Sequence, residues 1–158
     1  MSLTTWELHG FLPHPTPDAV QVEVRLPSLE EVVEHWTIIG PLLHKATSRN
    51  GCYEPLDLLQ MAMAGQAGIW ICEVDGEIRA AVVTRVTVFP RRRILEMMAA
   101  GGSGMRHWIE PLRTAMRAHA REIGCSHIAS VARPGWLRAW GATPTGDIGM
   151  VCNIEDTP

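Results

Sequence analysis

The sequence predicts a single α/β domain, a mixed and mostly antiparallel sheet with a central parallel strand pair and flanking helices. Three observations carry that reading. Residues 69–74 and 78–89 are strand-like runs joined by Asp75-Gly76, a pair that supplies the positive φ angles of a tight type I′ turn. An apolar run at 94–100 leads through glycines into an amphipathic helical stretch at 105–123, and a second apolar run follows at 125–132. Such a strand–helix–strand unit closes as a right-handed crossover between parallel strands, and the hairpin beside it makes the sheet mixed. The length, 158 residues, suits one domain with a sizeable core.

Residues 1–18 read as an extended arm, because Pro13, Pro15 and Pro17 forbid a helix there. The domain proper is residues 19–158. Val20, Val22, Val24 and Leu26 alternate with polar residues, as in a half-buried strand. Ser28 and Glu31 have the spacing of a capping box, in which Glu31 reaches back to the cap. The helix that follows buries Val32, Val33, Trp36 and Ile39, and Gly40-Pro41 is expected to break or kink it. Pro55 suits the first turn of a helix over 56–64.

Residues 101–104, Gly-Gly-Ser-Gly, read as a flexible loop. In the helix after it, Met105, Trp108, Ile109, Leu112, Ala115, Met116 and His119 share one face. Arg113, Arg117 and Arg121 form a stripe opposite, expected to be solvated. Gly124 caps the helix. Arg133-Pro-Gly135 turns the chain, residues 136–140 form a short helix ended by Gly141, and 148–154 make a last strand.

Composition excludes several classes. Hydrophobic residues make up 46% and charged ones 20%, a globular balance, and the net charge of −3 recruits neither nucleic acid nor an acidic membrane. No apolar run is long enough to cross a bilayer, and the first residues do not read as a signal peptide, so the expected location is cytoplasmic. Cys52, Cys72, Cys125 and Cys152 form no C-x-x-C pair and suit reduced thiols. His35 and His44 lack the spacing of a metal pair, so no metal is assigned. Cys125 and His127 face the same side of a strand, either as a nucleophile pair or as two ordinary buried side chains.

Over residues 19–154, the hairpin, the apolar strand, the glycine stretch, the long helix ending at Gly124-Cys125 and the Trp136-Leu-Arg-Ala-Trp-Gly141 segment follow one another in a known order. In that order the chain resembles the GNAT (N-acetyltransferase-like) superfamily. It is most similar to small GNAT-fold proteins of tailed bacteriophages, which share the Arg133-Pro-Gly-Trp136 turn. The resemblance implies acetyl-CoA as coenzyme, its pyrophosphate held at residues Gly101, Gly102, Ser103, Gly104, Met105 and Arg106 by free N–H groups and the helix dipole. The family pattern there is Gln or Arg, two residues, Gly, one residue, then Gly or Ala. Only Gly104 agrees; Gly101 has lost a long polar side chain and Arg106 has gained a bulky one, to contact a phosphate or to block the loop.

The resemblance also implies a Glu base on a central strand, here Glu96, whose alternative role is an ion pair with one of Arg91 to Arg93. The family's Tyr acid falls at Leu137, four residues before Gly141, and the chain's single tyrosine is Tyr53. These departures favour a non-catalytic binding or structural component, such as part of a phage particle, with no bound coenzyme. The alternative is an acetyl-CoA-dependent N-acetyltransferase. A protein partner or second copy is expected on the arm, through Trp6, Leu8, Phe11 and Leu12.

Overall fold

The computed structural model describes residues 19–131, 134–141, 143–144 and 149–153. The proposed arm at 1–18 lies outside them. Seven strands form one sheet: β1 (Val22–Arg25), β2 (Gly68–Val74), β3 (Glu77–Val88), β4 (Arg93–Gly102), β5 (His127–Val131), β6 (Thr143–Pro144) and β7 (Gly149–Asn153). Their order is β1-β2-β3-β4-β5-β7-β6, and every pairing is antiparallel except β4 with β5. The mixed sheet with its central parallel pair is as expected. Five helices complete the described chain: α1 (Leu29–Glu34), α2 (Trp36–Asn50), α3 (Pro55–Met63), α4 (Met105–Glu122) and α5 (Pro134–Trp140).

The β2–β3 turn is the one read from Asp75-Gly76, with φ of 51° and 81°. Asp75 also ties in β1: its N–H donates to the Gln21 carbonyl at 2.8 Å, and Gln21 N–H donates to Asp75 Oδ1 at 3.0 Å. Alternation along β2 and β3 feeds two apolar clusters, one per face. Trp70, Cys72, Ala80 and Val82 meet Leu112, Met116 and Trp140 under α4 and α5. Ile69, Ile71, Ala81 and Val83 meet Ile39, Leu43 and Leu58 under α2 and α3.

Several local expectations change. The first helix breaks at His35 and runs through Gly40-Pro41, because Leu43 and Ile39 must stay buried on one side of α2. Ser28 Oγ does accept from Glu31 N–H at 3.2 Å, but the Glu31 carboxylate turns to Arg25, a charged partner that outcompetes a backbone donor. Met105, at the first position of α4, is exposed rather than packed. The arginine stripe is solvated only at Arg121. Arg117 is 8% exposed, and Arg113 Nη1 donates to the Trp140 carbonyl at 2.9 Å, tying α4 to the end of α5. Among the described residues, no helix is long and apolar enough to cross a membrane.

Candidate functional site

The parallel pair opens part-way along its length. β4 pairs with β5 only from Ile94↔His127 to Met97↔Ser130, where Ser130 Oγ donates to the Met97 carbonyl at 2.9 Å. The next residue, Met98, is a bulge: Val83 faces Ala99 while Thr84 faces Met97, so Met98 has no cross-strand partner on β3. A bulge bends its strand and strengthens the twist. Beyond it β4 stays hydrogen-bonded to β3 as far as Gly102, while β5 pairs with β7 as far as Val131. The two parallel strands therefore part, and the N-terminus of α4 lies at the end of the strand that bends away.

That terminus is reached through a turn of two residues. Gly101 and Gly102, expected in a loop, lie inside β4, and both are glycine for reasons of packing. A Cβ on Gly101 would sit 1.9 Å from the Leu42 carbonyl oxygen of α2, and one on Gly102 would sit 2.4 Å from the Arg79 carbonyl oxygen of β3. Ser103 N–H donates to that Arg79 carbonyl at 3.0 Å, and the Ser103 carbonyl accepts from Trp108 Nε1 at 2.8 Å. Gly104, with φ 68°, is the N-cap and offers no side chain to the helix. The N–H groups of Gly104, Met105 and Arg106 have no acceptor among the described residues. Arg106 is exposed beside them, its Nε donating to His107 Nε2 at 3.3 Å. This cluster of free donors with one cation attracts an anion.

Glu96 lies on β4 but does not pair with Arg91 to Arg93. Its cross-strand neighbour is Arg85, whose Nε donates to Glu96 Oε2 at 2.9 Å and Nη2 to Oε1 at 3.3 Å; Thr87 Oγ1 donates to Oε2 at 3.1 Å. The Glu96 carboxylate raises the pKa of Arg85 above the ordinary guanidinium value, against the opposing effect of burial, and Tyr53 adds to the same side. Tyr53, Arg85, Thr87 and Glu96 thus form a polar cluster at the edge of the α2–α3 face. The register of the β3–β4 hairpin held the signal for Arg85, since a tip at residues 89–92 sets 85 opposite 96. Nothing in the sequence brought Tyr53 to it.

The Cys125–His127 pair is not assembled. Burial pushes the Cys125 thiol up despite nearby Arg93, and His127 Nδ1 meets Ser126 Oγ at 2.7 Å instead. Leu137 lies in α5. No group of three or more potential metal ligands occurs among the described residues.

No protein-family profile matches the chain, and no curated protein is a significant match. Solved structures do match. A GNAT family acetyltransferase from Brucella melitensis, in complex with acetyl-CoA, superposes with a TM-score of 0.62 at 11% identity over 87% of this chain and 90% of its own. The fold is that of the GNAT acetyltransferases. Tetrahymena GCN5 matches with a TM-score of 0.58 at 12% identity, covering 85% of this chain and 96% of its own. The aminoglycoside acetyltransferase AAC(6')-Iy, in complex with CoA, gives 0.59 at 16% identity, covering 84% and 95%. The strand opening and the free α4 terminus of this chain thus sit in a GNAT frame.

Proposed function

We propose that the chain binds acetyl-CoA and transfers the acetyl group to an amine. The α4 terminus carries this reading: three backbone N–H groups without acceptors among the described residues, with exposed Arg106, where β4 and β5 part. Free N–H groups, a helix dipole and a guanidinium suit a pyrophosphate. The fit is confined to Ser103, Gly104, Met105 and Arg106, because Gly101 and Gly102 are packed into β4. Complexes of similarly folded proteins with acetyl-CoA or CoA support the same ligand. The thioester supplies an activated acyl carbon. With acetyl-CoA bound, Glu96, the carboxylate on β4, would take the proton of the attacking amine, directly or through water, while the new C–N bond forms, the C–S bond breaks and coenzyme A leaves as its thiolate.

A second reading rests on the Glu96 carboxylate, both of whose oxygens already accept hydrogen bonds from Arg85 or Thr87. In that reading the protein is non-catalytic, a binding component of a particle such as the phage particle its sequence resemblance suggests. It holds its partner through Trp6, Leu8, Phe11 and Leu12.

Thermal shift with acetyl-CoA, together with a transfer assay, separates the readings. A ligand at a hundred times its dissociation constant adds about 2.7 kcal/mol of stability. We expect a clear shift at sub-millimolar acetyl-CoA, weakened in Arg106→Ala. Glu96→Gln keeps the shift and lowers acetyl transfer to a panel of amines by about a hundredfold or more. Absence of any shift refutes the coenzyme, and a shift with no transfer to any amine leaves the second reading.

A further inference from the structure

The outer edge of β3 is open where β2 ends. β2 pairs with β3 only as far as Gly68↔Thr84, while β3 continues to Val88 with β4 as its one strand partner among the described residues. In such a stretch alternate residues turn both N–H and C=O outward, a row that pairs readily with another strand. A cavity of about 490 Å³ lies at this notch, walled by Leu26, Met61, Thr84, Val86, Leu95 and His119 among others. The apolar surface continues past it, with Val86 37%, Val88 67% and Phe89 50% exposed.

The two sides of this edge differ. Val82 belongs to the cluster under α4, and Thr84 accepts from Trp70 of that cluster. By alternation, Val86 and Val88 continue the α4 side, and Arg85 and Thr87 the other. A strand laid on this edge would match it with apolar residues at alternate positions and an acidic residue between them. The chain contains that pattern once outside the described residues, as Trp6-Glu7-Leu8, after the β-prone pair Thr4-Thr5.

The route of the chain says which copy supplies the segment. Gln21 is tied to the Asp75 turn, at the end of β2 remote from Gly68. Read backwards from β1, the chain leaves the sheet heading away from the β3 edge. Pro13, Pro15 and Pro17 favour an extended path over a tight reversal for the segment before β1, whose reach from Gln21 to Trp6 would be up to about 45 Å at roughly 3.1 Å per residue. Returning to its own edge requires a full reversal; reaching a neighbour's edge does not.

We propose that two copies exchange arms: residues 4–8 of each pair with Arg85–Val88 of the other, Trp6 entering the notch and Glu7 lying on the Arg85 side. The exchange is reciprocal, so it closes as a two-fold dimer. It is independent of the coenzyme reading.

The test uses the full chain. Sedimentation equilibrium is expected to show a dimer whose dissociation constant rises at least tenfold in Trp6→Ala and in Val86→Lys, with circular dichroism unchanged. Hydrogen exchange at the amides of Arg85–Val88 is expected to slow at least tenfold between concentrations below and above that constant. A chain monomeric throughout overturns the proposal, as does a dimer indifferent to both substitutions. Edge amides protected in the monomer overturn it too, since the chain's own arm then fills the notch.

Discussion

The two faces of the sheet are built from the same strands by the same alternation, and they differ in kind. Under α4 and α5 the cluster is apolar, a continuous packing of Trp70, Met97, Trp108, Leu112, Met116 and Trp140. Under α2 and α3 the cluster is apolar at its centre and ringed by charge. Arg25 joins Glu31 of α1 to Glu73 of β2, and Arg85 joins Glu96 beside Tyr53. The first face is packing, while the second carries the ion-pair networks of Arg25 and Arg85. One residue connects them: Gly101, in the strand that borders the opening, is packed so tightly against α2 that the second face fixes the path of β4.

That link is the easiest part of the comparison to break. Gly101→Val puts a Cβ within 1.9 Å of the Leu42 carbonyl oxygen, backbone against backbone, with no flexible side chain to give way. We expect a loss of about 3 kcal/mol or more in urea unfolding. Gly104→Ala is the control. Its nearest neighbour would be His107 Cδ2 at 3.5 Å, so its cost is the left-handed backbone alone, about 1–2 kcal/mol. Equal losses would mean that Gly101 is not the contact between β4 and α2.

Leu112→Ala tests the packing face. Leu112 is fully buried between α4 and the sheet, and its truncation is expected to cost about 2–5 kcal/mol. Acetyl-CoA binding, measured where the variant is still folded, should be unaffected, because no free donor of the α4 terminus depends on it. A variant that loses binding while folded would show that the two faces are less separate than their chemistry suggests.

How much of this was legible depends on the range of the interaction. The Asp75-Gly76 turn, the parallel crossover between β4 and β5 and the apolar face of α4 from Trp108 to Met116 are local patterns, and they stand as read; Met105 and Arg117 at the margins of that face do not. The glycines misled because a glycine required by a neighbouring helix looks the same in sequence as one required by a loop. Only the approach of Leu42, some sixty positions earlier, distinguishes them. Arg85 was hidden by the adjacent run Arg91 to Arg93, although hairpin register alone sets it opposite Glu96. The bulge at Met98 has no sequence mark at all. It follows from how β4 must bend to keep its bonds to β3 while leaving β5.

The smallest expected effect sharpens the charged face. The hydrogen bonds from Arg25 hold the Glu31 carboxyl below its ordinary value, against a smaller opposing effect of desolvation. A carboxyl depressed on folding contributes stability above its unfolded pKa, about 4.3, and loses it as pH falls through the folded value. Between those two values the unfolded chain binds more protons than the folded one, so stability rises with pH there. Urea midpoints measured from pH 6 to pH 3 should therefore fall in the native chain and fall less steeply in Glu31→Gln, which has no proton to take up. The cap survives that change, since Ser28 Oγ accepts from the Glu31 backbone N–H and not from its side chain. Leu112→Ala, on the other face, should lower every midpoint and keep the native slope. If Glu31→Gln also keeps that slope, the Arg25 network is geometry without linkage, and the acid sensitivity of this fold resides in other carboxylates.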